Sequence, residues 1–242
     1  MQNHLTQLLT LVAMGGPSSF EPDAIRFEKV KVLREISPLP PENVVFGQYQ
    51  GGKINGQRVA GYREEPGISP VSGTETFVAL KLEVANWRWK GVPFYLRTGK
   101  RMSRRRTQIV VNFQCVPLSI FHPFEENCMV HPNVLVATLQ PDEGFDLYLQ
   151  VKAVGEPFRL TTQRLSFRYA DVFVPVADAY ETLLLDILRG NLSLFVCDEE
   201  LECAWMLYDG LLKQKIPVYH YQAGSDGPAE LKKLGMGTEL VD

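Results

Sequence analysis

Six cationic side chains lie among the ten residues from Arg97 to Arg106, within the stretch YLRTGKRMSRRR. The whole chain of 242 residues has a formal charge of only -3, so this stretch is a local concentration of positive charge. Arginine binds phosphate through two parallel hydrogen bonds and lysine adds a point charge, so such a cluster can bind an anion. The anion could belong to a nucleic acid, to a nuclear import receptor or to a small phosphorylated molecule, and the cluster could also be only a solvated turn.

The sequence on both sides of the cluster separates these alternatives. The apolar stretches WRWKGVPFYL and TQIVVNF are typical of strands, so ordered structure is predicted before and after the cluster. Nuclear signals and RNA-binding patches usually lie in polar, disordered or aromatic-rich surfaces instead. A sequence pI of about 5.9 also argues against an extended nucleic-acid surface. We therefore expect no nucleic-acid partner, while phosphate recognition and a solvated turn both stay open from the residues alone.

His4 is a second side chain that could do chemistry. It stands one turn before Leu8, in a stretch whose apolar residues recur at helical spacing. An imidazole titrates near neutral pH and can act as a general base, although a histidine beside an apolar stripe can also be a core or boundary residue. Spacing alone leaves both roles open.

The cysteines indicate neither a metal site nor a disulfide. They show no C-x-x-C spacing, so free thiols in a reducing cytosol are expected. The four residues are Cys115, Cys128, Cys197 and Cys203.

No nucleotide-binding loop is recognisable in the sequence. The spacing G-x-G-x-x-G does not occur, and the P-loop pattern fails because Phe94 stands at its first glycine and Arg101 at its serine or threonine. No stretch approaches the roughly 20 apolar residues that cross a bilayer, so no membrane contact is expected. The sequence thus predicts a chain without a coenzyme fold of its own.

The pattern of elements indicates how these side chains are positioned. Apolar residues at helical spacing predict helices near both ends of the chain, and alternating stretches such as FVALKLEV predict strands between them. This order is typical of an α+β domain with a mostly antiparallel sheet, not of alternating βαβ units. Tyr180 and Trp205 are expected in the core, and Asp198 is expected to cap the last long helix. The predicted helices are 2–14, one that opens at Pro22, 177–189 and 198–213, and the predicted strands are 44–50, 77–84, 93–97, 107–115, 134–139, 145–152 and 158–169.

Five stretches, taken in order along the chain, resemble the C-terminal half of glucose-6-phosphate dehydrogenase. They are QNHLTQLLTLVAM, NWRWKGVPFYLRTGKRM, QPDEG, DAYETLLLD and DEELECAW, with a weaker likeness at 219–227. The resemblance implies one α+β domain over residues 1–242, with a large, mainly antiparallel sheet and helices, that binds substrate and makes subunit contacts. It also implies a cytoplasmic enzyme of the oxidative pentose phosphate pathway, which oxidises glucose 6-phosphate to the 6-phosphoglucono-lactone with NADP.

The resemblance also implies roles for four residues. His4 matches the general base, which takes the proton from the C1 hydroxyl of the sugar as hydride leaves C1. Lys100 and Arg105 match contacts to the sugar and its phosphate, and Gln140 of QPDEG matches another contact on the sugar side. The anion bound by the basic cluster is then glucose 6-phosphate.

The resemblance places the NADP-binding half of the enzyme outside this sequence. The glycine fingerprint of the family and its R-I-D-H-Y-L-G-K segment do not occur in it. We therefore expect the 242-residue chain by itself to be inactive, and we expect a homodimer or higher homo-oligomer to form through the sheet. The alternative is a free-standing, non-catalytic homologue that serves as an oligomerisation or sugar-phosphate-binding module.

Some animal-type members of the family carry a second, structural NADP on the sheet. Arg97 and Arg106 of this sequence fit the pattern of that site. Thr138, Asp146 and Tyr148 stand where the pattern has cationic or aromatic contacts. We therefore expect no structural NADP.

Overall fold

The computed structural model describes residue 1 and residues 3–115, 131–155, 159–173, 179–192 and 195–236. The chain divides into two compact units. The first unit comprises residues 1–103 and 178–242, and the second unit comprises residues 104–177. The single domain predicted over residues 1–242 stays a prediction.

Helices lie near both ends of the described chain, as the sequence predicts. The α-helices are α1 (His4–Ala13), α2 (Pro22–Arg34), α3 (Tyr169–Val172), α4 (Ala179–Arg189) and α5 (Asp198–Leu212), and the 3-10 helices are Pro41–Asn43, Tyr62–Glu64 and Ala229–Leu234. The predictions at 2–14 and 198–213 are confirmed to within two residues. That at 177–189 is confirmed from Ala179 onward, because 177–178 lie outside the described residues. α2 begins with Pro22, whose fixed φ and missing N–H suit the first helical position.

The start of α5 differs from the prediction. Asp198 is the first helical residue and Cys197 occupies the cap position, with no side-chain hydrogen bond to the helix. The predicted cap at Asp198 is therefore wrong. Asp198 stabilises the helix in another way, because it lies with Glu199 and Glu200 in the first turn, where acidic side chains interact favourably with the helix dipole.

The predicted strands between the helices are confirmed, with shifts at their ends. The strands are β1 (Val44–Gln50), β2 (Gly52–Ile54), β3 (Gln57–Val59), β4 (Phe77–Glu83), β5 (Pro93–Gly99), β6 (Thr107–Asn112), β7 (Val134–Gln140), β8 (Gly144–Lys152), β9 (Leu160–Arg168) and β10 (Val218–Gln222). The strand predicted at 107–115 ends at Asn112, and residue 158 of the last predicted strand lies outside the described residues. β2, β3 and β10 were not predicted.

The first unit is built around a four-stranded sheet in the order β10-β1-β4-β5. β1 is antiparallel to β4, and β4 to β5, whereas β10 runs parallel to β1. β2 and β3 form a separate two-stranded hairpin. The α+β class and the mainly antiparallel pairing are thus confirmed.

Both faces of this sheet are covered within the first unit. Leu80 and Leu82 of β4 pack with α1, α2 and α5 on one face, and Phe77 and Ala79 pack with the 3-10 helix Ala229–Leu234 on the other. A strand that is buried on both faces has no polar side. The first four residues of β4, Phe77–Leu80, are thus buried on both faces.

The second unit contains an antiparallel sheet in the order β6-β7-β8-β9, and here the predicted alternation is found. The register pairs Phe145 with Phe167 and Leu147 with Leu165, so these apolar residues share one face. Leu135 pairs with Leu147 and joins them. We call these five residues the apolar sheet face. Phe145 is 43% exposed and Leu165 is 60% exposed, so the described residues leave part of this face open to solvent.

Two aromatic residues that were predicted in the core lie at the surface. Tyr180 on α4 is 77% exposed and Trp205 on α5 is 42% exposed, so both predictions are wrong. Leu188, on the same helix as Tyr180, is 83% exposed, so the described residues do not cover the apolar side of α4. Helical spacing identifies a shared face, but it does not say whether another element covers that face.

Candidate functional site

His4 is the first residue of α1 and is exposed. Its side chain makes no hydrogen bond or ion pair with any described residue, so both imidazole nitrogens are open to a ligand. α1 itself is held at both ends. Thr6 Oγ1 and the Tyr208 hydroxyl lie 3.0 Å apart near its start, and Trp89 Nε1 donates a 2.8 Å hydrogen bond to the carbonyl oxygen of Ala13 at its end.

A buried polar group joins α1 to two further helices. Lys29 Nζ of α2 lies 2.7 Å from Glu200 Oε1 of α5. Gln7, one turn after His4, donates from Nε2 to the same Glu200 oxygen at 2.5 Å and accepts from Lys29 Nζ at 2.5 Å. The helix that carries His4 is thus fixed to α2 and α5 by charge-assisted contacts.

The basic loop, which we define as residues 100–103, follows directly after β5. The N–H of Lys100 donates to the carbonyl oxygen of Thr76 at 2.9 Å, and the Tyr221 hydroxyl donates to the carbonyl oxygen of Lys100 at 2.7 Å. Arg101 adopts a φ of 54°, a left-handed conformation that is uncommon outside glycine. Such backbone strain persists where the surrounding contacts over-determine it, and it is frequent at functional sites.

The rest of the basic loop is held by the segment that follows β10. The N–H of Gly224 donates to the carbonyl oxygen of Arg101 at 2.8 Å. The N–H of Ser103 donates to the carbonyl oxygen of Ser225 at 3.0 Å, and the Ser103 hydroxyl donates to the Asp226 carboxylate. The basic loop is therefore fixed by protein contacts before any ligand binds.

The close approach of the two segments depends on glycine. Gly224 has a φ of 87°, and a Cβ at this position would collide with the carbonyl oxygen of Lys53. Gly227 has a φ of 106°, and a Cβ there would lie 2.7 Å from the ring of Phe77. Both glycines lie in or next to the segment that holds the basic loop, so a side chain at either position would disturb that contact.

The two cations at the start of the basic loop have different surroundings. Arg101 Nη2 lies 3.2 Å from Glu65 Oε1, which also accepts a 2.7 Å hydrogen bond from the Tyr49 hydroxyl. Burial, together with the Glu65 carboxylate, raises the pKa of Tyr49 to about 12, and the bonds from Tyr49 and Arg101 lower the pKa of Glu65. The charge of Arg101 is thus compensated. The Lys100 ammonium is exposed and forms no ion pair with a described residue, which leaves it available to an external anion.

Arg105 and Gln140 lie together in the second unit. Gln140 is the last residue of β7 and pairs with Thr107 at the start of β6, two residues after Arg105. Both side chains lie at this end of the strand pair, both are exposed, and neither makes a hydrogen bond or ion pair with a described residue. The structure therefore brings His4 and Lys100 into the first unit and Arg105 and Gln140 to one edge of the second.

The described residues do not fit a dinucleotide coenzyme. The one parallel strand pair among them, β1 with β10, is not joined by a single crossover helix, so it does not form a βαβ unit. No glycine-rich turn leads from a described strand into a described helix. The described residues therefore form no dinucleotide-binding motif of this kind.

Asp146, on the polar face of the second sheet, is a poor ligand for a phosphate. It is buried and accepts 2.8 Å hydrogen bonds from Arg164 and Arg168, together with a bond from the Ser166 hydroxyl. Burial opposes ionisation of this carboxyl, but the bonds from Arg168, Arg164 and Ser166 outweigh it, so the pKa of Asp146 lies well below its usual range. A buried carboxylate repels phosphate and already occupies both arginines. The absence of structural NADP nevertheless stays a prediction.

The described residues contain neither a candidate metal site nor a candidate membrane-spanning helix. No group of three or more histidine, cysteine or acidic side chains among them could hold a metal ion. None of the described helices combines the length and the apolar character that a bilayer crossing needs. Cys115, Cys197 and Cys203 are free thiols, and Cys128 lies outside the described residues.

Comparison with known proteins assigns this arrangement to a family of dehydrogenases. A family model described as the C-terminal domain of glucose-6-phosphate dehydrogenase matches residues 1–239. The chain therefore belongs to the glucose-6-phosphate dehydrogenase family and corresponds to its C-terminal domain.

Individual relatives show the same correspondence. The glucose-6-phosphate 1-dehydrogenase of Rhizobium meliloti (strain 1021) is 46% identical over 240 residues, covering 95% of this chain and 48% of that protein. The enzyme of the same name from Bacillus subtilis (strain 168) is 39% identical over 243 residues, covering 97% and 49%. The chain thus spans about half the length of the curated relatives it matches.

Solved structures agree with these sequence matches. The glucose-6-phosphate 1-dehydrogenase from Mycobacterium avium matches with a TM-score of 0.82 at 33% identity, covering 100% of this chain and 49% of that chain. A glucose-6-phosphate dehydrogenase in complex with its substrate glucose-6-phosphate matches with a TM-score of 0.84 at 33% identity, covering 97% and 49%.

Proposed function

We propose that this chain supplies the general base and the sugar-phosphate contacts of a glucose-6-phosphate dehydrogenase. The enzyme would oxidise glucose 6-phosphate to the 6-phosphoglucono-lactone, with NADP as hydride acceptor. The observation that carries the proposal is the basic loop, whose backbone is fixed by hydrogen bonds while the Lys100 ammonium stays unpaired among the described residues. A rigid loop with one uncompensated cation is better explained as a binding site for a small anion than as a solvated turn.

His4 is proposed as the base. Oxidation at C1 removes a hydride from carbon and a proton from the C1 hydroxyl, and the exposed imidazole of His4 accepts that proton. Proton transfer by a general base is most efficient when the pKa of the base lies near the operating pH, and histidine is the side chain most often used. Because α1 is held to α2 and α5, the imidazole is carried by a rigid element, as a positioned base requires.

Lys100, Arg105 and Gln140 are proposed as substrate contacts. Lys100 and Arg105 would bind the phosphate or the sugar through charge-assisted hydrogen bonds, and the Gln140 amide would bind a sugar hydroxyl. These contacts would select the phosphorylated sugar over free glucose, because free glucose leaves the cations unpaired.

Coenzyme binding is assigned to polypeptide outside this chain. The described residues contain no loop that fits a dinucleotide, so the 242-residue chain by itself is proposed to be inactive. NADP is the coenzyme that the family resemblance implies. The free thiols Cys115, Cys197 and Cys203 agree with a cytoplasmic location, because that compartment keeps thiols reduced.

Self-association is proposed to occur through the apolar sheet face. Phe145 and Phe167 stack there with ring centroids 4.9 Å apart, and the exposed Leu165 extends the surface. A second copy of the chain that covers this face would bury it from water and give a homodimer, on which higher oligomers could be built.

A chimaeric enzyme tests the catalytic part of the proposal. The N-terminal half of the Rhizobium meliloti relative is joined to this chain, and NADPH formation from glucose 6-phosphate is followed. We expect activity from the chimaera, none from the chain alone, and a fall in kcat of about 10²–10⁴ on His4→Asn. His220→Asn, at an exposed histidine of β10, is the matched control and should leave kcat unchanged. A His4→Asn chimaera with full kcat would overturn the assignment of the base.

A further inference from the structure

Tyr221 and the segment after β10 hold the basic loop in one conformation. Tyr221 lies on β10, and its ring packs beside Phe77, with 5.5 Å between ring centroids. Its side chain is almost fully buried, yet the hydroxyl reaches the carbonyl oxygen of Lys100 at 2.7 Å. The hydroxyl also lies 3.2 Å from Thr76 Oγ1.

These contacts define the backbone on both sides of Lys100. The peptide before Lys100 is anchored by its N–H bond to Thr76, and the peptide after it is anchored by the Tyr221 hydroxyl. Fixing both peptide planes fixes φ and ψ of Lys100, and with them the direction of its Cα–Cβ bond. The side chain of Lys100 thus leaves the backbone in a set direction although it is itself exposed.

The next residue shows why such anchoring is needed. Arg101 adopts a left-handed φ of 54°, a conformation that a non-glycine residue leaves readily when its contacts are removed.

Burial raises the pKa of the Tyr221 phenol, although its bonds to Thr76 and to Lys100 act in the opposite direction. The hydroxyl therefore stays protonated and able to donate at neutral and moderately alkaline pH.

We propose that Tyr221 is a positioning residue for Lys100. The buried hydroxyl of Tyr221 fixes the backbone of Lys100 and thereby directs the lysine ammonium toward the phosphate of a sugar phosphate. This inference rests on the proposed function of Lys100 in binding glucose 6-phosphate. Tyr221 does not touch the ligand itself. It acts through the peptide between Lys100 and Arg101, whose carbonyl oxygen accepts its hydrogen bond.

The test removes one hydroxyl. Tyr221→Phe keeps the ring in the core and deletes only the bond to the Lys100 carbonyl oxygen and the contact with Thr76. The matched control is Tyr219→Phe on the same strand, because the Tyr219 hydroxyl accepts a 3.0 Å hydrogen bond from Lys233 and not from the basic loop. If Tyr221→Phe does not fold, Ser103→Ala serves as a second variant, because it removes the bond from the basic loop to Asp226.

The first readout is hydrogen exchange in the unliganded 242-residue chain. Tyr221→Phe should raise the exchange rates of the Lys100 and Gly224 amides about tenfold, while Tyr219→Phe leaves them unchanged. Unchanged exchange at both amides in Tyr221→Phe would overturn the proposal without reference to any ligand.

The second readout is titration with glucose 6-phosphate and with glucose, followed by NMR. Tyr221→Phe should weaken glucose 6-phosphate binding about three- to tenfold, the size expected for one net hydrogen bond, and leave the response to glucose unchanged. A general loss of structure would instead change both responses. If the unaltered chain shows no response that depends on the phosphate, the proposed function fails, and the role of Tyr221 fails with it. If that response is kept in full by Tyr221→Phe, only the role of Tyr221 fails.

Discussion

Lys29 of α2 and Glu200 of α5 form an ion pair in the interior of the first unit, with Nζ and Oε1 2.7 Å apart and the glutamate fully buried. Gln7 of α1 bonds to both partners. Two charged groups in the interior and one amide therefore connect three helices. One of these helices, α1, carries the proposed base, His4. The same buried contacts therefore stabilise the unit and hold the helix that positions this base.

The first prediction concerns removal of the buried charge. Glu200→Gln leaves the Lys29 ammonium buried without its carboxylate, and we expect the free energy of unfolding to fall by about 3–5 kcal/mol. Urea denaturation monitored by circular dichroism measures this change. Glu199→Gln is the matched control, because Glu199 pairs with Arg34 at the surface and its loss should change the free energy of unfolding by less than about 1 kcal/mol. Equal effects of the two substitutions would contradict the structural role of the buried pair.

The second prediction concerns acid stability. The pKa of Asp146 is lower in the folded chain than in the unfolded chain, so its contribution to stability is present above about pH 4, its ordinary pKa, and is lost as the pH falls further. Denaturation curves should therefore show a free energy of unfolding that decreases below about pH 4. Asp146→Asn should be less stable at neutral pH and should have a flatter dependence between about pH 4 and pH 2. An equally steep decrease in the variant would mean that other carboxyls cause it.

Several features could be predicted from sequence because they depend on local spacing. β4 and β8 show alternating apolar residues, and the basic cluster stands between two apolar strands. β10 could not be found in this way, because it pairs with β1 across a long separation in sequence, as in the pairing of Phe46 with Val218. Its sequence, VYHYQ, has no strong alternation of its own.

The candidate site was predictable only in part, for a similar reason. The cluster of cations is visible in the sequence, but the compensation of Arg101 by Glu65 depends on a contact across 36 residues. The bond from Tyr221 to Lys100 spans 121 residues. Family resemblance could name His4, Lys100, Arg105 and Gln140, but it could not say which of the neighbouring groups hold them in place.

The third prediction concerns self-association through the apolar sheet face. Leu165→Arg places a charge at its most exposed position, so the monomer should keep its fold while the dimer is lost. Sedimentation velocity at micromolar concentration distinguishes the two states. Leu188→Arg on α4 is the matched control and should leave the dimer intact, because Leu188 is an exposed leucine that is not part of the apolar sheet face. A purely monomeric unaltered chain, or a Leu165→Arg variant that still dimerises, would contradict this interface.

The central claim is that the basic cluster binds a sugar phosphate, and NMR titration of the chain with glucose 6-phosphate and with glucose tests it most directly. Charge-assisted contacts contribute about 1.5–3 kcal/mol each before screening by salt, so two or three of them give a dissociation constant of roughly millimolar. We expect shifts around Lys100 and Arg105 that require the phosphate and that vanish in the Lys100→Ala, Arg105→Ala double variant. Equal responses to glucose and to its phosphate would contradict the claim and leave the cluster as a solvated turn.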